Sequence, residues 1–123
     1  MIGLHQTMFV QSVAQFSTEE QKEKWLQKSL HLDIIGCYCQ TELGHGSNVA
    51  MLETTATYDI STQEFVIHSP TITATKWWPG EMGRYANHAF VMARLIVKDH
   101  DYGIAPFIVQ IRQEATHKWM PGV

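Results

Sequence analysis

Apolar positions recur at helical spacing through the first 30 or so residues of the chain and then, beyond Asp33, gather into short runs separated by turn-forming residues. Met8, Phe9, Val13 and Phe16 fall near one helical face, which predicts a short amphipathic helix over 5–16. Ser17-Thr18-Glu19-Glu20 has the form of a capping box, with the Ser17 hydroxyl accepting from the backbone three residues on and Glu20 reaching back. A second helix is expected from there through Trp25 and Leu26, with acidic residues in its first turn and Lys28 near its end, as the helix dipole favours. Only part of one face is apolar, so this helix must pack on something.

The runs at 34–38, 54–58 and 65–68 read as strands, the second and third as a hairpin around the polar stretch 59–64. Two longer strands are expected at 88–97 and 104–112, joined by a turn at 99–103; their nearly continuous apolar residues imply burial on both faces for part of their length. The sum is an α+β fragment: two helices from the edge of a helical layer, then about five or six strands of an antiparallel barrel or sandwich, truncated before it closes. No internal repeat or low-complexity tract is present.

Length and charge narrow the classes. At 123 residues the chain can hold one core with an appendage, not two full domains. No apolar run approaches the roughly 20 residues of a membrane span. A net charge of −3 with scattered Lys and Arg gives no field for nucleic acid. The opening from Met1 to His5 lacks the basic and apolar regions of a secretory signal, and the closing Met120-Pro121-Gly122-Val123 carries no peroxisomal address. Cys37 and Cys39 stand too close to staple a fold and have no second pair at zinc spacing, so they read as reduced core thiols in an intracellular compartment.

Two segments could carry chemistry. Tyr38-Cys39-Gln40-Thr41-Glu42-Leu43-Gly44-His45-Gly46-Ser47 leaves a strand for a loop with two glycines, where free N–H groups, Thr41 and Ser47 could meet an acceptor-rich ligand; an ordinary strand connection has the same composition. In Lys76-Trp77-Trp78-Pro79-Gly80-Glu81-Met82-Gly83-Arg84, adjacent side chains of an extended segment face opposite ways, so one indole could fill the core while the other walls a planar cofactor; both could instead pack at a corner. His45 invites a general-base or metal role, against which stands a plain loop histidine. Glu42 and Glu53 are the acids beside the loop, with no apolar pocket evident to tune them. Arg84, Arg94 and Arg112 could meet a phosphate, though isolated arginines are more often ion-pair partners.

Together these segments closely resemble the flavin-binding segments of peroxisomal acyl-CoA oxidases. The resemblance continues in order through Leu52 to Asp59, Thr62 to Phe65, His68 to Thr71 and Phe107 to Val109, nearly the whole chain. The first segment also resembles a loop of the related acyl-CoA dehydrogenases. The resemblance implies that residues 1–32 end an N-terminal helical domain and that 33–123 begin a flavin-binding middle β-domain. It implies FAD as cofactor, with Thr41 and the Gly80 backbone touching the flavin and Trp78 as its wall, and Ser47, by the dehydrogenase likeness, near the CoA part of the substrate.

The implied partners are fatty acyl-CoA and molecular oxygen, in a homodimeric, peroxisomal full-length protein. The implied reaction removes an α-proton with a glutamate and passes the β-hydrogen as hydride to the flavin, which then yields hydrogen peroxide with oxygen. That glutamate belongs to a C-terminal helical domain, so no catalytic residue is assigned here and Glu42 is no substitute. Cys39, Glu81, Gln110 and Trp119-Met120 depart from the family pattern; a Glu81 carboxylate near the flavin's electron-rich edge would oppose the charge of the reduced ring. The rival readings are a dehydrogenase-like flavoprotein and a flavin-free splice or interaction fragment.

Overall fold

The computed structural model describes residues 3–123; Met1 and Ile2, the head of the opening read for a secretory signal, lie outside them. A π-helical stretch, His5–Val10, runs directly into α1, Gln11–Phe16. Bonds from i to i+5 turn positions around the axis relative to a regular helix, and the buried face shifts accordingly. Phe9 and Val13 are fully buried as expected, but His5 and Val10 join them, while Met8 and Phe16 are 38% and 62% exposed. α2, Glu19–Leu30, has Glu19 and Glu20 in its first turn and Lys28 in its last. Its capping box lies one residue later than the sequence suggested. Gln21 N–H donates to the Thr18 hydroxyl at 3.3 Å and Thr18 N–H to Gln21 Oε1 at 2.9 Å.

Five strands follow: β1 Gly36–Cys39, β2 Thr55–Asp59, β3 Glu64–His68, β4 His88–Val97 and β5 His100–Gln110. The expected hairpin is β2 with β3, antiparallel from Thr55↔His68 to Asp59↔Glu64. The five-residue turn expected before the last strand is shorter. Only Lys98 and Asp99, at φ +50° and +61°, separate β4 from β5, and two such residues match the right-handed twist of the flanking strands.

The sheet order is β1-β4-β2-β3, with β5 also pairing β4. β2 pairs β4 in parallel, from Thr55↔Arg94 to Thr57↔Ile96, so the sheet is mixed rather than antiparallel, and the order ends at β1 and β3 without closing. Side-chain patterning records which residues are covered and carries no sign of a neighbour's direction. A parallel pair needs a long connection, and the stretch between β2 and β4 supplies it.

The chain forms two compact units. One comprises Met1–Tyr38, Pro79–Phe90 and Ile108–Val123. Its core holds Phe9, Val13, Ile34 and Phe90, with Phe90 edge-on to Phe9 at 6.4 Å between ring centres and stacked on Tyr38 at 5.8 Å. Cys37 is buried here and its thiol donates to the His88 carbonyl at 3.6 Å. The other unit comprises Cys39–Trp78 and Val91–Phe107, with Cys39, Leu52, Thr54, Ala56, Ala74 and Ala93 buried. Both cysteines are core residues, as their spacing suggested. Among the described residues no helix is long and apolar enough to cross a membrane.

Candidate functional site

Residues 39–47 of the first sequence-marked segment and 76–78 of the second lie together in the second unit. The chain leaving β1 lies along residues 73–77, held by Trp77 N–H donating to the Thr41 carbonyl, Leu43 N–H to the Thr75 carbonyl and Gly44 N–H to the Thr73 carbonyl, each at 2.9 Å. Gly44 is required for this approach, because a Cβ there would stand 2.8 Å from that of Thr73. The Thr41 loop and the paired tryptophans are thereby laced side by side.

Beneath the lacing lies a buried ion pair. The Lys76 ammonium, on a side chain 12% exposed, donates to Glu42 Oε1 at 3.0 Å, to the Gln40 carbonyl at 3.1 Å and to the Met92 carbonyl at 2.7 Å. Glu42 also accepts from Glu53 N–H at 2.7 Å and Thr54 N–H at 2.9 Å. Burial works to raise the Glu42 carboxyl, but the Thr54 and Glu53 donors and Lys76 outweigh it and hold the group below its ordinary value. Burial likewise pulls the Lys76 ammonium down, against the attraction of Glu42.

Beside this pair, His45 Nε2 meets Glu53 Oε2 at 3.1 Å, and the Thr71 hydroxyl donates to Glu53 Oε1 at 3.2 Å. Glu42, His45 and Glu53 offer ligand atoms within 4.8 Å of one another, yet backbone N–H groups and an ammonium already engage both Glu42 oxygens. The cluster is a hydrogen-bonded brace with the Lys76 positive charge built in, and His45 joins it through Glu53.

Thr41 is half-buried and Trp78 is 80% exposed. Trp77 is 55% exposed, so the expectation that one indole fills the core does not hold: residues 77–79 lie outside any strand, and Trp78 at φ +49° breaks the alternation on which that expectation rested. Ser47 is exposed in the same unit, its carbonyl accepting from Val49 N–H at 3.1 Å as the chain enters the short turn Val49–Met51. Gly80 belongs to the first unit, where it makes room for Leu4: a Cβ would lie 2.0 Å from Leu4 Cδ1. Glu81 follows at φ +71°, its carbonyl accepting from the N–H groups of Arg84, Tyr85 and Ala86.

Arg94 donates to the Ala50 carbonyl at 2.6 Å and to Asp101 at 2.8 Å, and Arg112 donates to the His117 and Met82 carbonyls, so these two serve as carbonyl anchors. The Lys76–Glu42 pair was missed in the sequence because a lysine and a glutamate 34 residues apart look like two surface charges.

No profile of a known protein family matches the chain. It is 56% identical over 122 residues to peroxisomal acyl-coenzyme A oxidase 1 of Arabidopsis thaliana, covering 99% of this chain and 18% of that protein. The solved structure of Arabidopsis thaliana acyl-CoA oxidase 1 superposes with a TM-score of 0.96 at 57% identity, over 98% of this chain and 18% of that one. Acyl-CoA oxidase-2 of Caenorhabditis elegans, solved with FAD, ascaroside-CoA and ATP, superposes at 0.95 with 52% identity, over the same shares of 98% and 18%.

Proposed function

Along its whole length this chain is a stretch of the acyl-CoA oxidase family, and from that premise we propose that it is the flavin-facing segment of a peroxisomal enzyme that desaturates fatty acyl-CoA between its α and β carbons and delivers the electrons to oxygen as hydrogen peroxide. In this reading residues 1–32 close a helical domain and 33–123 open a middle β-domain completed by further strands of a homodimeric full-length protein. The chain spans 18% of the length of the relatives it matches, and in this reading the proton-abstracting glutamate that the resemblance implies belongs to another part of the full-length protein.

One observation carries the reading: the Trp77–Thr41 hydrogen bond puts a hydroxyl-bearing loop beside an indole that is 80% exposed. That combination fits FAD. A flat apolar wall covers a planar ring system, and a hydroxyl supplies the directional bond that fixes its register. Trp78 and Thr41 take these two roles, and Gly80 keeps the turn after Trp78 close-packed. Ser47 is exposed for the CoA portion of the substrate. When bound, the flavin supplies the hydride acceptor; this chain's residues hold and orient it.

The test places this chain in the full-length Arabidopsis relative in place of the matching stretch. The hybrid is expected to purify with FAD and to release peroxide from palmitoyl-CoA, and a folded hybrid without flavin would overturn the reading. Thr41→Val in that protein is expected to weaken FAD binding about 5-fold to 150-fold, the equivalent of about 1 to 3 kcal/mol for a buried partner left unpaired. An unchanged dissociation constant would remove Thr41 from the site.

A further inference from the structure

Lys76 is the one ammonium in the described structure with three hydrogen bonds to the loop and strand around it: two carbonyls and a buried carboxylate. Its partner Glu42 follows Thr41, and Lys76 itself precedes Trp77 and Trp78. We propose that the Lys76–Glu42 pair is a positioning element for the cofactor, clamping the Thr41 loop against the tryptophan segment so that hydroxyl and indole wall keep a fixed spacing. The proposal rests on the flavin reading above.

Four features argue for positioning rather than bulk stability. The pair straddles the Glu42↔Lys76 bridge, with the Thr41–Trp77 bond on one side of it and the Leu43–Thr75 bond on the other. The ammonium pins the Gln40 carbonyl as well, so the chain is held on both sides of Thr41. A buried ion pair is an inefficient source of stability, because desolvation offsets most of the attraction. Trp78 also sits at φ +49°, a sparsely populated conformation for an L-residue that its surroundings must compensate. Lys76, two residues upstream, anchors the segment that leads into this turn.

The experiment uses the flavin-loaded full-length hybrid. Lys76→Met keeps the stem and removes the donors; Glu42→Gln is isosteric and removes the charge. Each is expected to fold, to raise the FAD dissociation constant at least tenfold, and to broaden or shift the visible flavin bands. His5→Leu, a destabilising change in the other unit, serves as the stability control and is expected to leave spectrum and affinity within twofold. If Lys76→Met does not fold, Glu42→Gln carries the same expectation and the same refutation. Unchanged affinity and spectrum in a folded variant would overturn the pair's role alone, whereas absence of flavin from the unsubstituted hybrid would overturn the flavin reading and this proposal with it.

Discussion

The Gly36 amide donates to Nδ1 of His5 at 2.9 Å, while Nε2 of the same ring lies 2.9 Å from the Ser29 carbonyl. Nδ1 can accept only as a lone pair, so the proton sits on Nε2 and the ring joins the first helical stretch, the end of α2 and the start of β1 with both nitrogens satisfied. His5 is fully buried and stacks on Phe9 at 5.6 Å between ring centres. His5→Leu keeps the apolar contacts but orphans the Gly36 N–H away from water, while the Ser29 carbonyl still accepts from Leu32 N–H at 3.3 Å. The expected loss is about 1–3 kcal/mol, read from urea unfolding followed by tryptophan fluorescence. A loss under about 0.5 kcal/mol would show that water or a shifted backbone satisfies the Gly36 amide.

Gly36 has a second constraint. A Cβ there would fall 2.1 Å from ring atoms of Phe9, which is itself fully buried. Gly36→Ala is therefore expected to destabilise by about 1–3 kcal/mol, because the ring has no free space to turn into. Phe9→Leu should relieve part of this. In a double-mutant cycle the two changes together cost less than the sum of each alone, and strict additivity would mean that the clash is absorbed elsewhere.

His88 gives the fold an acid sensitivity with a definite sign. It is buried, 5.7 Å from the Trp25 ring, and burial lowers its pKa, with Lys28 acting the same way and Glu114 opposing. A histidine whose folded value lies below its unfolded value contributes stability above the unfolded value. That contribution is lost as pH falls through the folded one. The unfolding midpoint is expected to drop as pH is lowered from about 7 to about 5, and His88→Gln should flatten this part of the profile. Identical slopes in the two proteins would assign the sensitivity to another group.

β3 ends the strand order, so one of its edges has no partner strand among the described residues. Phe65 and Val66 on it are 45% and 55% exposed, and Ile60 beside it is 60% exposed. Unpaired edge groups flanked by apolar side chains template pairing with another copy. The isolated chain is expected to self-associate with concentration, and Val66→Lys, which adds a charge on the edge, should shift the equilibrium towards monomer. Light scattering across a dilution series reads both; a monomer at every concentration would mean that the edge is already protected.

Local order was written in the chain itself. Periodicity and polar punctuation located both helices, the β2–β3 hairpin and the bounds of β4, because these depend on neighbours within a few residues. The Thr41 loop and the tryptophan segment were marked by their composition and by their likeness to a known family. Tertiary structure decided the rest. The parallel pairing of β2 with β4 depends on where a long connection returns, and no short window of sequence records that. The burial of His5 depends on Gly36 and Ser29, 31 and 24 residues away, whose backbone groups turn an apparently polar position into a core one. Lys76 and Glu42 read as two ordinary charges, and only the fold brings residues 34 apart in sequence to 3.0 Å of one another with little water around them.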